Sequence, residues 1–173
     1  MPQTEVDQIT SDLAEIYGVD VADIETSVDY VASGTIDVTI PPGVSENEAI
    51  TSLQDSISDV LGVHPKDVVV TIDDNGVVTY SVTGASYAEA EAIQDVTSQV
   101  DFASQITDDL NENGSPVTVE SSTPNEDIDV VVSATVDTTD ATGTSDPVIS
   151  IENLTIELWL TDSFAEGIIN YFF

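Results

Sequence analysis

The stretch DLNENGSPVTVE, residues 109–120, has the residue types and the spacing of a calcium-binding loop. Calcium takes about six to eight oxygen ligands, and this pattern supplies them from alternate side chains, one backbone carbonyl and a closing glutamate. The predicted calcium ligands are Asp109, Asn111, Asn113, the backbone carbonyl of Ser115, and Glu120. Because the third and fifth loop positions are uncharged amides, the sequence predicts a weak site, with calcium as the one cofactor it suggests.

The same stretch can also be the polar turn by which a helix becomes a strand. In this alternative Leu110 ends a helix, Gly114 adopts the left-handed conformation that closes it, and Pro116 begins the strand VTVESST. Pro116 has no N–H to donate to a paired calcium loop, and a strand follows where a second helix is expected. The sequence favours the turn and leaves both interpretations open.

Other polar groups carry weaker chemical signals. Acidic clusters at 23–29, 72–74 and 125–129 could hold cations, although such runs are more often solvated surfaces. His64 is the only histidine, so a transition metal would lack a second imidazole ligand. Without a glycine-rich phosphate loop or a distinctive carboxylate pair, the sequence predicts no catalytic residues and no enzyme. Asn153 begins the sequon NLT and is a candidate glycosylation site in a secreted chain.

The net charge limits what this protein can bind. The chain has 34 acidic residues against one basic residue, Lys66, for a formal net charge of −33. Nucleic acids and anionic membrane surfaces are bound through lysine and arginine, so both are excluded as partners. Membrane insertion is excluded because no apolar run reaches the length of a span. Self-repulsion on this scale favours a saline setting in which divalent cations are partners.

The composition nevertheless predicts a folded protein outside the cell. Hydrophobic residues make up 40% of the chain, with valine, isoleucine and threonine frequent, so a β-rich core is expected. There is no cysteine, hence no disulfide framework. The N-terminus has no signal-peptide pattern, so either a leader was removed or the protein leaves its cell by lysis, as virion proteins do. We therefore expect an extracellular or virion location.

Helices and strands are predicted to alternate along the chain. Segments 24–30, 36–40, 68–72 and 78–82 alternate apolar and polar residues, which predicts strands buried on one face. The stretch DDNGVV predicts a two-residue type I′ turn at Asn75 and Gly76. Apolar runs with helical period each follow a hydroxyl residue and a carboxylate three positions apart, the pattern of a helix start. These pairs are Thr4 with Asp7, Ser45 with Glu48, Ser86 with Glu89, and Ser163 with Glu166.

An internal repeat organises the first half of the chain. Residues 13–40 align with 57–82, placing Gly18 on Gly62 and Gly34 on Gly76, so each copy is expected to run helix end, turn, strand, tight turn, strand. From residue 36 to 119 the order is that of a ferredoxin-like split βαβ (βαββαβ) sandwich. The predicted fold is therefore α+β. Its segments are a helix-hairpin unit (1–35), a ferredoxin-like module (36–122), and a β-rich C-terminal extension with a short aromatic terminal helix (127–173).

The strand order of 36–122 and the stretch NGVVTYSV after the second strand resemble SEA-type modules, ferredoxin-like domains of extracellular glycoproteins. Self-cleaving members carry Gly-Ser at that turn. Here Val77 follows Gly76, so autoproteolysis is not expected. The resemblance implies an extracellular, non-enzymatic role.

The apolar C-terminus leads to the main functional hypothesis. An exposed patch of this kind is a contact surface for another protein or for the chain itself. The predicted interface residues are Trp159, Phe164, Ile168, Ile169, Tyr171, Phe172 and Phe173. We expect a non-enzymatic structural protein that contacts copies of itself or other structural subunits in an extracellular filament, surface layer or virion. The alternatives are a SEA-like or calcium-dependent adhesion module, and an acidic nucleic-acid mimic.

Overall fold

The computed structural model describes residues 3–137 and 153–161. Contacts between residues divide the chain into two compact units, one of Met1–Asp29 with Val130–Phe173 and one of Tyr30–Asp129. The segment boundaries expected from the sequence stay a prediction. Within the described ranges, no helix has the length and apolar character needed to cross a membrane.

The elements alternate as in an α+β protein, which confirms the predicted class. The helices are α1 (Gln3–Tyr17), α2 (Glu46–Leu61), α3 (Tyr87–Thr97) and α4 (Phe102–Glu112). The strands are β1 (Ile24–Thr39), β2 (Val68–Ile72), β3 (Val78–Gly84), β4 (Thr118–Pro124), β5 (Asp129–Asp137) and β6 (Asn153–Thr161). A single 3-10 turn precedes each of β1 and β2, at Val21–Asp23 and Pro65–Asp67.

Two helix starts follow the predicted cap signals. At α2 the Ser45 hydroxyl accepts from the backbone N of Glu48 (3.3 Å), and the Glu48 carboxylate accepts from the backbone N of Ser45 (2.9 Å). This backbone bond, followed by the bond from the Ser45 hydroxyl, holds the pKa of Glu48 below its usual value. At α3 the Ser86 hydroxyl accepts from Glu89 N (3.2 Å), but the Glu89 carboxylate accepts from Ala85 N (2.9 Å).

The other two cap signals have different outcomes. Thr4 is wrong as the N-cap of α1, because the helix already includes Gln3 and Thr4 therefore lies inside its first turn. Its carboxylate partner, Asp7, is likewise within the helix. The pair Ser163 and Glu166 lies outside the described residues.

The repeat is visible in the backbone at two helix ends. Gly18 and Gly62 follow α1 and α2 with φ of 66° and 69°, in the left-handed region. The valine after each glycine donates its N–H to the carbonyl five residues earlier, at 3.1 and 3.0 Å. Both helices thus end at a glycine, after which the chain passes through a 3-10 turn and enters a strand.

The predicted tight turn at Gly34 is wrong, because β1 continues through it from Ile24 to Thr39. Gly34 is required for close approach instead. A Cβ at this position would lie 2.6 Å from the Tyr80 hydroxyl oxygen and 2.7 Å from the carbonyl oxygen of Thr123. Tyr80 is the partner of Gly34 on β3 and is 1% exposed, so its buried hydroxyl occupies space that a side chain at position 34 would need.

In the unit Tyr30–Asp129 four strands pair antiparallel in the order β2-β3-β1-β4. Helix α2 packs against β2, α3 against β3, and α4 against β4 and α2. Alternate strand residues meet these helices in one core, and the residues of opposite parity form the other face of the sheet. Fully buried core residues include Leu53, Ile57, Val68, Tyr80, Val82, Phe102, Ile106 and Leu110.

The turn between β2 and β3 differs from the predicted type I′ turn. Gly76 has φ 81°, but Asn75 does not have positive φ, as a type I′ turn requires. Gly76 N donates to Asp73 O (2.9 Å) and Asp73 N donates to Val77 O (3.0 Å), the geometry of a type I turn followed by a glycine bulge. The Asp73 carboxylate accepts from the backbone N of Asn75 (2.9 Å) and of Val77 (2.8 Å), which favours this turn.

The other unit has its own small core. In the strand order β5 lies next to β1, and β6 next to β5. Both strands belong to the C-terminal segment that was predicted to be rich in β-structure. Ala14, Ile24 and Ala134 are buried together, with Leu13, Tyr17 and Val19 packed against them. The predicted terminal helix lies outside the described residues.

Gly34→Ala is expected to lower the free energy of unfolding by about 1–3 kcal/mol, because the added methyl group meets backbone and tyrosine atoms that are themselves buried. Chemical denaturation measures this change. Thr35→Ala on the same strand is the control, since Thr35 is exposed, and should cost less than about 1 kcal/mol. Equal stability of Gly34→Ala and the natural chain would contradict the close approach.

Asp73→Asn is expected to lower the melting temperature at neutral pH, because the carboxylate accepts the turn N–H bonds. The backbone bond from Val77, then the Asn75 side chain, hold the Asp73 pKa below the usual 3.8. A depressed folded pKa means that the stabilisation is present above about pH 3.8 and is lost as the pH falls through the folded value. The melting difference between the two proteins should therefore shrink below about pH 3.8. Asp74→Asn, with the same charge change in the same turn, controls for overall charge; a matching pH response would contradict this role of Asp73.

Candidate functional site

The predicted calcium segment begins in the last turn of α4. Asp109 and Asn111 are helical, and the side-chain amide of Asn113 donates to the Asp109 carboxylate (3.0 Å). Gly114 has φ 77°, and Ser115 N donates back to the carbonyl of the residue five positions earlier (2.8 Å). The segment therefore ends its helix in the way that Gly18 and Gly62 end theirs.

The remaining predicted ligand, Glu120, lies on β4. Its carboxylate accepts from the hydroxyl of Thr39 on β1 (2.6 Å). The structure thus brings Asp109 and Asn113 together and joins Glu120 to a different strand. In the described part of the chain, no group of three or more histidine, cysteine or acidic side chains is arranged to hold a metal ion. Calcium binding by this segment stays a prediction.

The other charged candidates make local hydrogen bonds. Asp23 closes the 3-10 turn before β1 by accepting from Asp20 N (3.2 Å). His64 opens the equivalent turn before β2, where its Nδ1 accepts from Lys66 N (3.1 Å). Lys66 lies 4.0 Å from the Asp67 carboxylate at the surface. These side chains shape the entries of two strands.

Two predicted surface residues, Asn153 and Trp159, lie on β6, for which the backbone is described. The rest of the predicted interface, Phe164, Ile168, Ile169, Tyr171, Phe172 and Phe173, lies outside the described residues. The aromatic contact surface and the glycosylation of Asn153 stay predictions.

A row of four threonines crosses the sheet of the unit Tyr30–Asp129. The strand register pairs Thr71 with Thr79, Thr79 with Thr35, and Thr35 with Thr123. One threonine thus comes from each of β2, β3, β1 and β4, and all four are exposed. Because neighbouring strands lie about 4.8 Å apart, the row is roughly 15 Å long.

A second uncharged row lies beside the first. The register pairs Val69 with Ser81 and Ser81 with Ser33. Asn125 completes the row, donating its backbone N to Ser33 O (2.8 Å) and its side-chain amide to the Ser33 hydroxyl (2.7 Å). We name the two rows the hydroxyl face. It consists of Thr71, Thr79, Thr35 and Thr123 with Val69, Ser81, Ser33 and Asn125.

The hydroxyl face contains a shallow concavity of about 190 Å³. Every residue of the hydroxyl face except Thr123 lines this concavity, together with Gly34 and Tyr80. The hydroxyls of Thr71 and Thr79 bond each other across the strands at 2.7 Å. Such hydroxyls both donate and accept, so they leave further hydrogen-bonding capacity at the surface. None of the side chains that line the concavity is charged.

Beneath the hydroxyl face, on the helix side, the Tyr80 hydroxyl is buried. Burial raises the pKa of this phenol above its usual 10.0, against a smaller lowering by the nearby hydroxyls of Thr97 and Ser122. Neither nearby group reaches hydrogen-bond geometry, and within the described residues the hydroxyls of Tyr80 and Ser122 both lack a partner. The phenol is therefore neutral at physiological pH and adds no charge to the sheet.

The two sides of this unit differ in charge. No residue of the hydroxyl face is ionisable. The three helices on the opposite side carry many carboxylates, all exposed or half-exposed: Glu46, Glu48, Asp55, Asp59, Glu89, Glu91, Asp95, Asp108, Asp109 and Glu112. At the border of the hydroxyl face, Asp37 accepts a hydrogen bond from the Ser121 hydroxyl. Glu120, which accepts from Thr39, lies on this side of the sheet as well. Two uncharged rows, bordered by Asp37 and Glu120, thus lie opposite an acidic helical layer.

Sequence reasoning missed the hydroxyl face. The alternation of the strands correctly predicted polar residues opposite the buried ones, but it could not show that the threonines of different strands share one row. Register between strands that are far apart in the chain decides that arrangement. The one available signal was the exclusion of charge from the polar positions 33, 35, 71, 79, 81 and 123 in so acidic a chain.

Gly114→Ala is expected to lower the free energy of unfolding by about 1 kcal/mol, because alanine adopts a left-handed conformation at a cost. Gly62→Ala, at a similar φ after α2, is the matched control and is expected to show a similar loss.

Melting with and without calcium tests the predicted metal site. If the segment binds calcium, the ion raises the melting temperature of the natural chain, and Glu120→Gln removes that response while Glu112→Gln keeps it. An unchanged melting temperature of the natural chain contradicts the calcium prediction.

Comparison with known proteins adds no relative from which to transfer a function. No family model, curated protein or solved structure matches the chain. The resemblance to SEA-type modules therefore stays a prediction.

Proposed function

We propose that this protein is a non-enzymatic structural subunit that assembles with copies of itself or with other structural subunits in an extracellular filament, surface layer or virion. The observation that supports this proposal is the segregation of charge in the unit Tyr30–Asp129. Carboxylates cover its helices, whereas the hydroxyl face has no ionisable side chain. A neutral face on a chain of −33 is the surface by which crowded copies can make contact.

Electrostatics explains why such a face matters for assembly. Copies of a strongly acidic chain repel each other, and the repulsion between exposed charges falls off with the Debye length, about 10 Å at 0.1 M salt. Contact through a neutral face keeps carboxylates of different copies farther apart than contact through the helices. Divalent cations, the predicted partners, would further reduce the repulsion.

The elements of Tyr30–Asp129 run strand, helix, strand, strand, helices, strand, and the sheet order β4-β1-β3-β2 is fully antiparallel. We infer a ferredoxin-like split βαβ sandwich with its second helical segment divided into α3 and α4. The arrangement favours a SEA-like binding module as the second candidate function. In that case the concavity of the hydroxyl face is the place for a ligand.

Assembly is expected to strengthen with ionic strength, because screening weakens the repulsion between copies. Mass photometry and sedimentation at about 0.1 and about 1 M salt, between which the Debye length falls from about 10 to about 3 Å, measure this response. Calcium or magnesium at matched ionic strength shows whether divalent cations add to it. A chain that stays monomeric at every salt and protein concentration contradicts the proposed function.

A further inference from the structure

We propose that two copies of this chain pair through their hydroxyl faces, sheet against sheet. This inference rests on the proposed function, because it specifies the contact by which copies assemble. The hydroxyl face of one copy is thus covered by the hydroxyl face of another. Stacked sheets of this kind pack about 10 Å apart with their strands nearly aligned, each accommodating the twist of the other.

The distribution of charge favours this pairing over contact through the helices. In a sheet-to-sheet pair the two helical layers lie outermost, with helix axes of different copies roughly 30 Å apart. This separation is about three Debye lengths at 0.1 M salt, so the carboxylates on α2, α3 and α4 of the two copies hardly interact. Helices packed against helices would bring the axes to about 8–10 Å, within one Debye length.

The chemistry of the hydroxyl face is self-complementary. Hydroxyls donate and accept, and the Asn125 side chain carries both an N–H donor and a carbonyl acceptor. The donors of one copy can therefore bond to the acceptors of the other. A positively charged partner would be drawn instead to the acidic helices. A two-fold axis makes such a contact isologous, with the same residues on both sides. Thr79 and Thr35, on the two inner strands, lie at the centre of the contact.

The size of the hydroxyl face limits the strength of one pair. Four strands and two rows cover roughly 300 Å² per copy, less than half of the roughly 800 Å² per partner of a standard interface. One pair is therefore weak and detectable at high protein concentration, while several linked contacts in an assembly reinforce one another.

A charge placed at the centre of the hydroxyl face tests this pairing. Thr79→Glu is expected to weaken self-association at least about tenfold, because two like charges then meet across the axis. Thr51→Glu is the matched control, since Thr51 is exposed on the acidic helix α2 and the charge change is the same. Sedimentation equilibrium at high salt measures the dissociation constant, and circular dichroism with thermal melting verifies the fold. Ser81→Glu repeats the test should Thr79→Glu fail to fold.

Cysteine cross-linking gives a second, independent test, because the chain has no cysteine of its own. Thr79→Cys and Thr35→Cys should form disulfide-linked dimers on mild oxidation, and Thr51→Cys should not. Linkage through the hydroxyl face that is absent from the helical control supports the pairing.

The outcomes separate this inference from the proposed function. If the natural chain assembles and Thr79→Glu assembles equally well, the pairing is wrong and the proposed function stands. If Thr79→Glu and Thr51→Glu weaken assembly equally, net charge rather than the hydroxyl face controls it, and the pairing is wrong. A natural chain that is monomeric under all conditions overturns both. Variants that lower the melting temperature of a monomer without changing its mass indicate that the same chain covers the face, which also overturns the pairing.

Discussion

The packing of the unit Tyr30–Asp129 depends on the absence of a side chain at position 34 of β1. β1 lies between β3 and β4, so a turn at this point would remove a partner from both strands. The close approach of the Tyr80 hydroxyl and the Thr123 carbonyl leaves no room for a Cβ at position 34 unless neighbouring atoms shift. Ser33 and Thr35 flank this glycine, so the two rows of the hydroxyl face lie on either side of the close approach. The same part of β1 thus contributes Gly34 to the contact with buried Tyr80 and contributes Ser33 and Thr35 to the hydroxyl face.

The net charge is the second constraint, and the fold does not neutralise it internally. Among the described residues the one ion pair joins Lys66 to Asp67 at 4.0 Å, both at the surface, where such a pair contributes little to stability. Carboxylates instead serve local roles, as at the α2 cap and in the β2–β3 turn, or remain in solvent. We therefore expect cations of the medium to screen these carboxylates. In the unit Tyr30–Asp129, two rows of uncharged side chains lie together on one sheet face. This combination is the basis of the assembly that we propose.

The stretch DLNENGSPVTVE shows why a motif can have two physical origins. A calcium loop and a glycine-closed helix end both need short polar side chains followed by glycine, because both turn the backbone sharply while exposing oxygen atoms. Here Ser115 N bonds the carbonyl five residues earlier, as at the ends of α1 and α2. This shared geometry accounts for the glycine without a metal. Glu120, the charged residue that closes the calcium pattern, has a strand residue as its hydrogen-bond partner.

The sequence by itself determined the features that depend on neighbours along the chain. The α+β class, the glycine-terminated helices and the Ser45 cap follow from apolar periodicity and from backbone hydrogen bonds spanning about five residues or fewer. Only the tertiary structure decided that Gly34 lies within a strand and that four threonines form one row. The physical reason is that close approach and strand pairing involve Tyr80 and Thr123, which lie far from residue 34 in the chain. A glycine that permits a turn and a glycine that admits a neighbouring hydroxyl and carbonyl look alike until the fold brings those neighbours together.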